Sequence, residues 1–292
     1  MDEFSAILKA RELVTKAQID SAPVDIERYL RLPTVNGVLR ADHDLPDDQA
    51  GSTTVISGRN CIFVNGRHSP QRQRFTVLHE IGHIVLKLPS SHSGGLKTKE
   101  LFSYQSKPPA EIVCDVFAAE LLLPEPLFRR DVNEEEIGFG AIEKLASISK
   151  YDASLTSTGS RFAVLNDEPC AFVLAESVVV RYVSYSLAMR NLKCWIPTKL
   201  CIPEGTLTAR ALTGSKEQGP IEIEAYRWFE NEKKEGRNLL EDVRILEQWN
   251  QSLTLLWFED TGDEETFEGS DEKPRLAELD GNLPWPSKRK RR

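Results

Sequence analysis

Residues 69–89 read SPQRQRFTVLHEIGHIVLKLP, and this stretch decides the fold. Ser69 is a capping residue and Pro70 suits a first helical turn, so a helix starts here. Phe75, Leu78, Gly82 and Val85 follow the 3.6-residue period and mark the expected core side. Pro89 ends the pattern. Inside the helix lies His79-Glu80-Ile81-Gly82-His83, an H-E-x-x-H sequence. Residues four apart lie one turn apart on one face, so both imidazoles can reach one metal ion. Glu80, beside them, is placed to act as the general base of a hydrolysis. The plainer reading is a helix whose histidines cap or salt-bridge locally; the helical context and the flanks favour the metal.

A catalytic zinc has three protein ligands and an open fourth position. The other histidines, His43, His68 and His92, fall in expected loops, and the IVLKLP after His83 rules out a closely following third histidine. Glu111, 28 residues after His83 and near the start of a second expected helix over 109–123, is the better third ligand. Asp115 is one turn further on the same face, where it can hold the ring N–H of a ligating histidine. Each has a plainer reading too. Glu111 is an acid favoured by the macrodipole at a helix start, and Asp115 reads equally as a surface acid. Cys114 sits off the face that those two share and reads as a small core residue. Tyr104, in the loop between the helices, is either a transition-state stabiliser or an ordinary loop aromatic.

The stretches IFVNGRHSPQRQRFTVLHEIGHIVL (62–86) and EIVCDVFAAELLLP (111–124) together resemble the ImmA/IrrE family of metallo-endopeptidases. Arg74, Phe75, Thr76, His79, Glu80, Gly82 and His83 match that family's first helix. Glu111, Asp115, Phe117, Ala118, Ala119, Glu120, Leu121, Leu122 and Pro124 match its second, with Cys114 in place of the usual alanine. APVDIERYL (22–30) fits its opening helix, so the resemblance covers roughly residues 1–130. It implies an α+β chain with a zincin-like N-terminal peptidase domain. It also implies one zinc ion held by His79, His83 and Glu111, with Glu80 as the catalytic glutamate. The implied partner is a protein substrate, typically a helix-turn-helix repressor, cleaved in a stress or mobile-element response.

The chain has 292 residues, with 37 Lys+Arg against 45 Asp+Glu and a net charge of −8. That balance argues against avid nucleic-acid binding, which needs a basic surface. No apolar run approaches the ~18 residues of a membrane span. The N-terminus opens acidic and amphipathic, unlike a secretory signal. Five scattered cysteines without a CxxC fit a reducing cytosol, so a cytoplasmic protein is expected.

Four segments are expected: the peptidase over 1–130, a helix-turn-helix-like segment over 131–168, a β-rich α/β regulatory domain of GAF-like outline over 169–262, and a disordered tail over 263–292. The first helix should present Phe4, Ile7, Leu8 and Leu13 as its stripe. Residues 41–50 and 90–108 read as loops, and 53–57 and 61–65 as strands. Strands dominate from 170 to about 227, a helix covers 236–249, and 253–258 is a buried strand. Trp195, Trp228, Trp249 and Trp257 read as core. Within the helix-turn-helix-like stretch 143–165, the expected recognition helix LTSTGSRF (155–162) offers one basic residue, Arg161, so packing or substrate docking is favoured over DNA reading. The stretch from Glu259 to Glu272 holds eight acids and no base, and the chain ends in five bases, KRKRR. That basic end reads as a solvated terminus, a phosphate-binding tail or a nuclear-type signal. The leading expectation is a zinc-dependent endopeptidase. The second is a non-catalytic protein- or DNA-binding regulator built on the peptidase fold.

Overall fold

Asp2 accepts a hydrogen bond from the Ser5 N–H and starts helix α1, Glu3–Lys16. The structure is a computed structural model and describes residues 2–46, 49–89, 108–197, 199–217, 219–232 and 236–259. The buried side of α1 is Ala6, Ala10 and Leu13, while Phe4 and Leu8 are exposed. The expected stripe is corrected for a steric reason. Small alanines let α1 lie close against the helix Pro109–Leu122, and close packing sets the buried face. A short helix α2, Ile26–Leu30, follows, capped by Asp25.

Strands β1 (Gly37–Asp42), β2 (Gly51–Ile56) and β3 (Arg59–Asn65) form a sheet of order β1-β3-β2, with β1 parallel and β2 antiparallel to β3. Ser57 and Gly58, both at positive φ (50° and 76°), make the two-residue hairpin turn whose twist suits its strands. Strand β1 ends inside the expected loop 41–50. It lies at the sheet edge with a mostly exposed middle, so its sequence carries no apolar alternation.

Two long helices follow, α3 (Pro70–Leu86) and α4 (Pro109–Leu122), packed on each other. Helices α5 (Glu125–Asn133), α6 (Phe139–Ala146) and α7 (Leu155–Leu165) lead into the second sheet. Strands β4 (Cys170–Glu176) and β5 (Val179–Tyr185) come first. Two short helices, α8 (Leu187–Asn191) and α9 (Leu207–Leu212), then break the expected run of strands. Strands β6 (Ile221–Glu224), β7 (Asn238–Leu246) and β8 (Gln251–Trp257) complete an antiparallel sheet of order β5-β4-β8-β7-β6. Among the described residues no helix is long and apolar enough to cross a membrane.

The central strands explain their own composition. In β4, Cys170, Phe172 and Leu174 face one core, while Ala171, Val173 and Ala175 face another. Burial on both faces requires the continuous apolar run CAFVLA rather than alternation. The first core runs from Ala6 on α1 to Trp257 on β8, across positions 130 and 168. Residues 1–259 accordingly cluster as one unit.

The helix expected over 236–249 is instead β7. Leu239, Val243 and Leu246 sit at helix-like spacings, but two adjacent acids take their partners from far along the chain. Glu241 accepts from the backbone N–H of Leu207 (2.8 Å) and Thr208 (2.9 Å), capping α9. Asp242 accepts from the Phe139 N–H (3.0 Å) at the start of α6. Neighbouring strand residues point to opposite faces, so one dipeptide caps a helix on each side of the sheet. Trp228 and Trp257 are core, as expected, but Trp195 and Trp249 are half exposed. Trp195 lies edge-on against Tyr185, and Trp249 sits in the turn before β8.

Arg161 of α7 is not available for DNA. It donates to Glu120, which is fully buried on α4, and its Nε donates to the Leu123 carbonyl (3.3 Å). Glu120 also accepts from Arg11 of α1 (3.3 Å) and from the Glu125 N–H (3.1 Å). One buried carboxylate therefore joins α1, α4 and α7.

Replacing Glu241 by Ala leaves two buried N–H groups without their acceptor. The expected cost is about 3 kcal/mol of unfolding free energy in a urea titration, and a change below about 0.5 kcal/mol would show that the capping role is wrong.

Candidate metal centre

The last turns of helix α3 carry the candidate site residues. Ser69 accepts from the Arg72 N–H, Pro70 sits in the first turn, and Lys87 closes the helix in the left-handed conformation (φ 54°). His79, Glu80 and His83 occupy the last two turns and are buried. Helix α4 crosses close beside them at Gly82. A Cβ added there would stand 3.4 Å from Cys114 Cα and Cβ and from Phe117. Cys114 is thus the small residue at a tight crossing, and Glu111 and Asp115 on either side of it meet the histidines. Burial, reinforced by the neighbouring acids, pushes the Cys114 thiol well above its usual range, so it stays a protonated core residue.

The crossing brings three ligand atoms together. His79 Nε2 is 3.1 Å from His83 Nε2 and 3.0 Å from Glu111 Oε2, and His83 Nε2 is 3.5 Å from that same oxygen. Among the described residues, His79, His83 and Glu111 are the group whose atoms converge in this way. The outer ring nitrogens are occupied. His79 Nδ1 is 2.9 Å from Asp115 Oδ1, and His83 Nδ1 is 3.3 Å from the Leu88 carbonyl. These acceptors require a proton on each Nδ1, so a neutral ring turns its Nε2 lone pair inward. The tautomers are assigned from those partners.

With both rings neutral, the two inward lone pairs and the carboxylate oxygen at this separation call for a proton or a metal cation among them. Tetrahedral zinc with bonds of about 2.0–2.1 Å has ligand–ligand edges of about 3.3 Å, and the observed edges bracket that value. The donor set fits the ion. The His79 pKa points the same way. Burial alone would lower it, but hydrogen bonds to Asp115 and Glu111, with the nearby charges of Asp115 and Glu80, raise it to about 9. That field favours positive charge at the cage.

Glu80 is buried beside the cage, and its Oε2 accepts a 2.7 Å hydrogen bond from the Thr53 hydroxyl of β2. Sequence reasoning missed two partners here, Thr53 and the Leu88 carbonyl. The first depends on strand-to-helix register, which no local pattern announces. The second depends on the left-handed turn at Lys87, which folds Leu88 back over His83. Tyr104 and His92 lie outside the described residues. His43 lies against Gly66 and His68 follows β3; neither belongs to the converging group.

Asp115→Ala removes the carboxylate that orients His79. Zinc affinity, read by competition with a chromogenic chelator, is expected to fall about 10–100-fold. Unchanged affinity would show that Asp115 is only a helix-surface acid.

Residues 28–137 match the family model described as Peptidase_M78, IrrE N-terminal-like domain. The radiation response metalloprotease IrrE of Deinococcus radiodurans is 30% identical over 124 residues, covering 40% of this chain and 34% of the relative. The chain thus spans about a third of the length of that curated relative. A solved structure, a Mycobacterium tuberculosis transcriptional regulator, has a TM-score of 0.57 at 12% identity. It covers 87% of this chain and 76% of its own, a likeness of fold. Over residues 28–137, which contain His79, His83, Glu111 and Asp115, the chain is similar to the IrrE N-terminal-like domain.

Proposed function

We propose that the chain is a zinc-dependent, site-specific endopeptidase that hydrolyses a peptide bond in a partner protein. The observation that carries this reading is the buried triangle of His79, His83 and Glu111 with Glu80 beside it. These three residues hold the ion, which when bound supplies Lewis acidity at neutral pH. Asp115 and the Leu88 carbonyl fix both imidazoles through their outer nitrogens. Glu80 takes the proton of the attacking water and returns it to the leaving amine. Burial of the Glu80 carboxylate excludes bulk water from that proton path.

Strand β2 supports a chain-like substrate. It is an edge strand among the described residues. The Asn65 N–H bonds to the Ala50 carbonyl at 2.8 Å, so in the antiparallel register positions 52, 54 and 56 share bonds with β3. Thr53 and Val55 therefore turn their backbone groups to the free edge, next to Glu80. An extended peptide can add to such an edge by main-chain hydrogen bonds.

The resemblance in sequence supports a helix-turn-helix repressor as the substrate, with cleavage relieving repression in a stress or mobile-element response in the cytoplasm. The acidic chain suits a basic, DNA-binding partner. The internal use of Arg161 weighs against direct DNA reading by residues 143–165. The β-rich part, 169–262, serves as the regulatory domain in this reading. The competing reading, a binding module without catalysis, predicts no stoichiometric zinc.

Glu80→Gln keeps the three ligands and removes the base. Elemental analysis should give one zinc per chain in both proteins. The variant should capture the substrate from lysate and cleave it at least ~100-fold more slowly than the unaltered chain. Full cleavage by the variant would overturn the mechanism, and absence of zinc from both would favour the binding module.

A further inference from the structure

Thr53 touches two parts of the site that no other described residue joins. Its hydroxyl stands 2.7 Å from Glu80 Oε2, and among the described residues no other group gives that buried carboxylate a hydrogen bond. Its backbone N–H and C=O face the free edge of β2, by the register argued above.

The contact depends on how close β2 lies to α3. Gly51, two residues earlier on the same face, has no room for a side chain. A Cβ there would stand 2.6 Å from Thr76 Cγ2 and 2.7 Å from the Phe63 carbonyl oxygen. Only glycine lets the strand settle against the helix at this point, and that approach carries Thr53 into reach of Glu80 one turn further along α3. Threonine suits the task. Its β-branch restricts χ1, so the hydroxyl is held in one direction rather than left to rotate. A hydroxyl proton given to one carboxylate oxygen leaves the other for proton transfer.

Resting on the peptidase reading above, we propose that Thr53 is a positioning residue for Glu80: its hydroxyl fixes one carboxylate oxygen so that the other is presented to the metal cage. The same residue's backbone sets the register of a peptide on β2. Base and substrate are thus aligned by one residue.

The test uses the zinc-loaded full chain and acetohydroxamate. This small chelator binds a metal through two oxygens while its hydroxyl proton passes to a neighbouring carboxylate. Calorimetry gives its affinity for the unaltered chain, Thr53→Val, Thr53→Ala, Thr53→Ser and, as a control on the exposed neighbour, Thr54→Val. Zinc content and thermal unfolding are read on every protein. A hydrogen bond to a charged group is lost in Thr53→Val and Thr53→Ala, so affinity should fall about 10–100-fold, while Thr53→Ser should stay within about threefold of the unaltered chain. Thr54→Val should not differ, and all five proteins should hold one zinc. Full affinity in Thr53→Val or Thr53→Ala with zinc bound overturns this inference and leaves the peptidase reading standing. So does a Thr53→Ser protein as weak as Thr53→Val, because side-chain shape rather than the hydroxyl would then be at work. An unaltered chain that takes up no zinc overturns both.

Discussion

Three buried atoms that converge on one point set the terms for the rest of this structure. His79 Nε2, His83 Nε2 and Glu111 Oε2 lie within 3.5 Å of each other, and each is withdrawn from water. Holding two ring nitrogens and a carboxylate oxygen this close and out of water is costly unless a proton or a metal cation sits among them. The surrounding residues keep the atoms from relaxing apart. Asp115 and the Leu88 carbonyl hold the rings, and Gly82 and Cys114 hold the two helices at close distance. The cage is a consequence of helix packing and stored proton positions, not of the histidine spacing alone.

The parts that were legible in the sequence are those that local chemistry determines. The Ser69-Pro70 start, the one-turn histidine spacing and the Glu111/Asp115 spacing all act within a few residues. Helices α3 and α4 accordingly fall where the pattern puts them. The parts that were not legible depend on partners far along the chain. Strand β7 reads locally as a helix because its leucines recur at helical intervals, yet Glu241 and Asp242 cap helices 34 and 103 residues away. The Phe4 and Leu8 stripe fails for a related reason. What buries α1 is the closeness of α4 to Ala6 and Ala10, and an alanine stripe is weak in any hydrophobicity reading. Thr53 lies in an expected strand, but its contact with Glu80 needs the register of β2 against α3.

Charge placement follows a consistent rule across the unit. Three buried acids away from the histidine cluster are each satisfied by donors from other elements. Glu120 takes Arg11 and Arg161, Glu241 takes the start of α9 together with the Thr208 hydroxyl (2.6 Å), and Asp131 takes the Tyr151 hydroxyl (3.1 Å). A buried acid with fixed donors specifies one arrangement of the elements that supply them, because breaking any one contact leaves a charge or a donor unpaired. Some of the chain's acids are therefore structural, placed inside to join elements.

Helix α4 shows why the His79, His83 and Glu111 cluster belongs to the whole of residues 1–259 rather than to its motif-bearing part. Its first turns carry Glu111 and Asp115, and its last turn carries Glu120. Glu120 is held from one side by Arg11 of α1 and from the other by Arg161 of α7. Helix α7 in turn rests on the five-stranded sheet: Ser160 is hydrogen-bonded to Ser184 (2.7 Å) and Tyr182 (3.1 Å) of β5, and Gly159 lies under Phe172 of β4. The helix is a stiff rod, and its far end is fixed by a buried ion pair. A shift of α7 would therefore either break that pair or carry Glu111 with it. The cost of leaving Glu120 buried and unpaired makes the second outcome the cheaper one. The distance of Glu111 from His79 and His83 is thus set partly by residues that no peptidase motif contains.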